Sequence, residues 1–243
     1  MFSNRNEEKT ILTLLWITEF KYSTKKIICD LLDVSYQGQQ GFFNKLNSED
    51  LIFYFKHPYV SSNLIMLTSK GRGYAAKFSK KAISYNCSKT RNLNSMVFHD
   101  LATQNISLTV VNKKIPFNFS FDHYISNIEK NKRPDLIVDN NQILTAYEIE
   151  LTQKSSTRIY LAFLNHFDAM KNNTYHYVKY IFLNSDLCKI YTKLFNEVYW
   201  KHCYRNKNNS ISIYKETNGQ VKYLKVNENS ELRNRFSFIF FEE

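Results

Sequence analysis

With 243 residues, 43% of them hydrophobic and 16% aromatic, the chain can bury a real core, which excludes a disordered or linker-dominated protein. Thirty-three Lys and Arg against 22 Asp and Glu give a net charge of +11, pointing to a polyanionic partner or, more plainly, to a solvated basic surface. Cys29, Cys87, Cys188 and Cys203 form no CxxC pair, which argues against a structural zinc site and a disulfide framework, and no apolar run reaches membrane-spanning length, so a soluble, cytoplasmic protein is expected.

In chain order, Glu7 to Phe20 carries Ile11, Leu12, Leu15 and Trp16 at helical spacing. Ser23 or Thr24 is a good N-cap for a second helix through Ile27, Ile28, Leu31 and Leu32. Asp33 to Ser35 reads as a turn, and Tyr36 to Leu46 as a third helix with Phe42, Phe43 and Leu46 inward. Leu51 to Phe55 and Asn63 to Leu67 are the paired strands of a hairpin, and Thr68 or Ser69 caps a following helix.

This order, with the punctuation of "LLDVSYQGQQGFFNKLNSEDLI" and "IMLTSKGRGYA", resembles a winged helix-turn-helix domain over residues 1–85. The resemblance implies that the third helix enters a DNA major groove, making Tyr36, Gln37, Gln39, Gln40 and Lys45 candidate contacts, with Lys70 and Arg72 beside them. Gln offers a donor and an acceptor that match adenine. Gly38 and Gly41 each weaken a helix by about 1 kcal/mol relative to Ala, or else allow close backbone approach to DNA. A winged helix used for protein contact is the alternative.

Residues 78–93, rich in Ser, Lys, Asn and Arg, read as a linker, so a second domain is expected over 86–243. It begins with a helix from Asn94 to about Asn112, followed by a weakly patterned Phe- and Asn-rich stretch. Two strands, a helix at Ser156 to Met170, a strand at Val178 to Leu183, a helix at Ser185 to Tyr199 and a last strand at Phe236 to Phe241 complete it. The chain is thus an α+β protein, its second half an α/β core.

The chemistry sits in "RPDLIVDNNQILTAYEIELTQK", Arg133 to Lys154. Alternation puts Ala146, Glu148, Glu150 and Thr152 on one strand face, and Tyr147, Ile149 and Leu151 on the other. If Asn140-Asn141 is the hairpin turn, Asp135 pairs with Ala146 and is the diagonal neighbour of Glu148. Converging carboxylates repel unless a cation or protons compensate, and an all-oxygen site suits Mg²⁺ or Mn²⁺. The plainer reading is an edge strand whose Glu148 and Glu150 face solvent beside Lys or Arg.

The stretch resembles the active-site hairpin of the PD-(D/E)xK restriction-endonuclease-like superfamily, with Asp135 as first acid and Glu148 as second. Where that pattern has lysine this chain has Glu150, and Lys154, at the start of the next helix, is the candidate replacement. The resemblance makes Asp135, Glu148 and Glu150 candidate metal ligands. "FHDLAT" adds His99 or Asp100 as ligand or proton carrier, against a packed His beside an exposed Asp. Arg158 and Lys154 near a helix N-terminus suit a phosphate, or form an ordinary surface pair.

Winged helix and hairpin together resemble the MobC-type conjugative relaxases of mobilisable plasmids and the related replication-relaxation proteins. That resemblance implies a metal-dependent endonuclease nicking one DNA strand at a plasmid origin of transfer. Mobilisation accessory proteins and a type IV coupling protein would be its partners. No His-x-His occurs, so such an enzyme would run on carboxylates. The competing expectation is a plasmid replication or transcription regulator whose nuclease-like domain is inactive, for which Glu150 speaks.

Overall fold

The computed structural model describes residues 5–84, 96–110, 119–121, 133–208, 210–226 and 230–242. Its helices and strands belong to two compact units, 1–124 and 125–243.

The first unit opens with α1 (Arg5–Phe20), β1 (Ser23–Thr24) and α2 (Lys25–Leu31). Thr24 caps α2 by accepting from Ile27 N–H at 3.2 Å. Then come α3 (Gln40–Ser48), β2 (Ile52–Phe55), β3 (Leu64–Leu67), α4 (Ser69–Ala75) and a 3₁₀ turn (Lys80–Ser84). The sheet runs β1-β3-β2, with both pairings antiparallel. Leu14, Ile17, Phe20, Ile28 and Phe43 are fully buried; burying such a side chain contributes about 1.5–3 kcal/mol. Thr68 caps α4 by accepting from Gly71 N–H at 3.0 Å. A Cβ on Gly71 would lie 1.9 Å from Leu51 O, so only glycine lets α4 rest on the start of β2.

Two expectations are corrected here. The third helix begins at Gln40, because Gly38 takes φ +86 and holds Tyr36 to Gln39 in a turn. The division between units lies beyond residue 85, because α5 (Val97–Val110) packs within the first unit. Trp16 Nε1 donates to Gln104 Oε1 at 3.0 Å, and Gln104 Nε2 donates to Tyr22 O at 2.9 Å. A fully buried amide thus finds partners on α1 and its following turn. A short strand, β4 (Phe119–Phe121), follows, while residues 85–93 of the expected linker lie outside the described residues.

The second unit holds β5 (Leu136–Asn140), β6 (Ile143–Glu150), α6 (Ser156–Lys171), β7 (Tyr177–Phe182) and α7 (Ser185–Asn196). It ends with β8 (Tyr199–Lys201), β9 (Cys203–Arg205), β10 (Ile211–Ile213), β11 (Tyr223–Lys225), α8 (Ser230–Arg233) and β12 (Phe236–Phe240). β12, β7, β6 and β5 lie side by side in that order, parallel except for the antiparallel β5–β6 hairpin. The core lies between this sheet and α6 and α7, around the fully buried Phe163, Tyr180 and Phe182.

The hairpin turn is Asn141-Gln142, with φ 52 and φ 70, one residue later than expected. Asp139 Oδ1 fixes it by accepting from Gln142 N–H at 2.8 Å. Moving the turn by one residue moves the register by two, so Ile137 rather than Asp135 pairs with Ala146. β8 to β11 have no counterpart among the expected elements: β8 pairs with β11 and β9 with β10, as two short antiparallel ribbons.

Candidate active site

Asp135 straddles Glu148 on the neighbouring strand. Its N–H donates to Tyr147 O at 3.1 Å, and its Oδ2 accepts from Ile149 N–H at 2.7 Å. The later turn thus sets Asp135 against the backbone on either side of Glu148 rather than opposite Ala146. Asp135 is half-buried, whereas Glu148 and Glu150 are only 2% and 3% exposed. This depth excludes the solvent-facing edge strand: Ala146, on the same face, lies in the core between sheet and α6.

Each buried carboxylate has a counter-group within the chain. Lys154 Nζ donates to Glu150 Oε1 at 2.7 Å, reaching back from the turn before α6. His166 Nε2 lies 3.2 Å from Glu148 Oε1, and His166 Nδ1 lies 2.6 Å from the Tyr175 hydroxyl. Burial, and then the Glu148 charge, push the Tyr175 hydroxyl well above its ordinary range. A tyrosine so held keeps its proton beside Nδ1.

Tyr180 stands in register with Glu148 on the adjacent parallel strand. It is fully buried, its hydroxyl has no hydrogen-bond partner among the described residues, and burial followed by Glu148 and Glu150 raises its pKa. Tyr191 is raised likewise, first by burial and then by Glu150. Sequence reasoning missed His166, Tyr175 and Tyr180. Ile159, Phe163, His166 and Met170 share one helix face, and a histidine on that apolar stripe was the available signal.

Ser155 caps α6 by accepting from Arg158 N–H, and Arg158 is exposed on its first turn. With Ser155, Thr157, Arg205, Ile211 and Ile213 it lines a cleft of about 460 Å³. Arg205, on β9, is a second basic group that the sequence pattern did not single out.

His99 and Asp100 have their described partners inside the first unit. Tyr22 OH donates to Asp100 Oδ2 at 2.5 Å, and His99 Nδ1 lies 3.9 Å from Asp100 Oδ1. That tyrosine contact gives Asp100 a packing role within its own unit.

Tyr36 is 54% exposed, and Gln37 is exposed in the same turn, which ends at the half-buried Gln39. Lys25 Nζ donates to Gln40 Oε1 at 3.0 Å and stands 4.6 Å over the Tyr36 ring. Lys45 pairs loosely with Glu49 at 3.7 Å, and Lys70 Nζ donates to Glu49 O at 2.7 Å. Arg72 is half-buried on α4.

The donor chemistry fits magnesium at Asp135 and Glu148. That ion is usually held by one or two carboxylates, with waters and phosphate oxygens completing its shell. The expected three-acid cluster is not formed: Lys154 takes Glu150, and no group of three metal-binding side chains occurs among the described residues. No described helix is long and apolar enough to cross a membrane. No protein-family model, curated protein or solved structure matches the chain.

Proposed function

We propose that the chain is a plasmid mobilisation relaxase of the MobC-type kind, which nicks one DNA strand at an origin of transfer. In this reading the first unit is a winged-helix reader of duplex DNA and the second a PD-(D/E)xK nuclease core. One observation carries it. Asp135 and Glu148 are neighbours on a hairpin, and Lys154, displaced in sequence, delivers its ammonium to the next acid on the same strand face, 2.7 Å from Glu150. A first acid, a second acid and a lysine are the parts such a core requires.

Asp135 and Glu148 would hold Mg²⁺ or Mn²⁺, which supplies Lewis acidity and lowers the pKa of a bound water. Lys154 would stabilise the charge that develops on the attacked phosphate, and Glu150 would hold that ammonium in place. Arg158 and Arg205 would grip a neighbouring phosphate. Mobilisation accessory proteins and a type IV coupling protein are the partners that go with this assignment.

The test is relaxation of a supercoiled plasmid bearing the cognate origin. It should require Mg²⁺ or Mn²⁺ and be abolished by Asp135→Ala and by Glu148→Ala. Full relaxation by either variant sinks the proposal.

A second reading, a DNA-binding regulator with an inactive nuclease-like domain, draws on a specific observation. Glu148 and Glu150 are almost wholly buried, each against a basic side chain of the chain itself. Footprinting without nicking at any metal concentration would select it.

A further inference from the structure

The β8/β11 ribbon is anchored from beneath by Trp200, which is fully buried and stacks on Phe167 at 5.3 Å with an interplanar angle of 8°. Side chains alternate along a strand, so Tyr199 and Lys201 point away from that anchor. On the partner strand Tyr223 and Lys225 flank the half-buried Leu224 in the same way. The register sets Tyr199 opposite Lys225 and Lys201 opposite Tyr223. One face therefore carries two tyrosines and two lysines in a checkerboard. Tyr199 is 55% exposed and Tyr223 50%.

The surroundings select the occupant. Residues 199–225 contain six Lys and Arg and one acid, Glu216. Rings that lie open to water amid so much positive charge match a polyanion that also offers flat apolar faces. Duplex DNA hides its base faces inside the stack, whereas an unpaired strand presents them. The two rings are diagonal neighbours, about 7–8 Å apart at the backbone, which leaves room for a base against each. Aromatic platforms with interleaved cations are how unpaired strands are held without regard to sequence.

We propose that the outer face of the β8/β11 ribbon binds single-stranded DNA, with Tyr199 and Tyr223 stacking on bases and Lys201 and Lys225 holding phosphates. This function is separate from cleavage and stands whether or not the hairpin cuts.

The test is fluorescence anisotropy of the full chain with labelled oligo(dT) of about 15 nucleotides, beside oligo(U) and duplex of equal length. Tyr199→Ala with Tyr223→Ala should weaken oligo(dT) binding about tenfold or more for each ring lost, while the two Tyr→Phe changes keep it. Lys201→Ala with Lys225→Ala should reduce the slope of log affinity against log salt by about 0.7 for each lysine. Unchanged oligo(dT) affinity in a folded alanine pair overturns the proposal, as does a ring-dependent preference for oligo(U) or duplex. Should the alanine pair lose its native circular dichroism, Lys201→Glu with Lys225→Glu decides instead, and unchanged affinity there overturns it equally. Loss of oligo(dT) binding in the alanine pair bears on this face alone, whereas loss of nicking in Asp135→Ala bears only on the cleavage reading.

Discussion

His166 Nε2 lies 3.2 Å from Glu148 Oε1 with both side chains sealed from solvent, at 0% and 2% exposure. Removing one partner of such a pair strands a buried polar group, at a cost of about 3–5 kcal/mol. His166→Ala should show that loss in urea unfolding. Glu148→Gln keeps the volume and removes the charge, so it should cost less, and the double variant should fall well short of the sum. Additive effects would mean that the two side chains do not act on each other.

Glu19 offers a pH-dependent counterpart in the first unit. It is 4% exposed and pairs with Lys81 at 2.8 Å, yet burial outweighs that lysine and raises its pKa above the ordinary 4.5. A carboxyl raised on folding binds its proton more tightly in the native state. Its stabilising contribution is therefore complete below 4.5 and is lost as pH climbs through the raised folded value. Glu19→Gln does not titrate, so its stability relative to wild type should rise with pH in urea titrations across that window. A difference independent of pH would contradict this.

Two glycines on α4 make a controlled pair. At Gly71 a methyl group would meet Leu51 O at 1.9 Å, whereas at Gly73 nothing lies within 4 Å. Gly71→Ala should cost about 1–3 kcal/mol or more. Gly73→Ala should stabilise by about 0.4–1 kcal/mol. Thermal melts of the two single variants should therefore move in opposite directions.

The β5–β6 turn places Gln142 at φ 70, a conformation that glycine adopts without strain. Gln142→Gly creates the Asn-Gly pair favoured by tight hairpins and should raise stability by about 1 kcal/mol. An unchanged or lowered melting temperature would show that the Gln142 side chain matters more than its backbone.

If Lys154 serves the chemistry, Lys154→Ala should slow plasmid nicking about 10²–10³-fold. Lys154→Arg, which keeps the charge facing Glu150, should retain part of the rate. Equal rates in wild type and Lys154→Ala would remove that lysine from the mechanism.

Local signals in the sequence carried far. The caps were readable to within one residue, as Ser23 or Thr24 and Thr68 or Ser69, because a hydroxyl before an apolar helical run has one obvious use, and α6 and β7 followed from their periodicity. What escaped depends on tertiary contact. Tyr36 to Leu46 has helical spacing throughout, and only the left-handed Gly38 shows where the helix must start. The hairpin register hung on a single residue of turn position, beyond the resolution of the Asp139 to Gln142 run. β8 to β11 are three residues each, too short for alternation to register. The depth of Glu148 could not be read because its partner lies on another element, 18 positions along the chain.

The Trp16–Gln104 contact also governs how the chain can be dissected. A fragment stopping at residue 85 would leave a fully buried indole N–H without its acceptor and strip α5 from the helices it covers. Such a fragment should be sticky and poorly soluble, and its failure to bind DNA would say nothing about α3. A first unit worth testing in isolation must extend past Val110, with Asp100 and Gln104 intact.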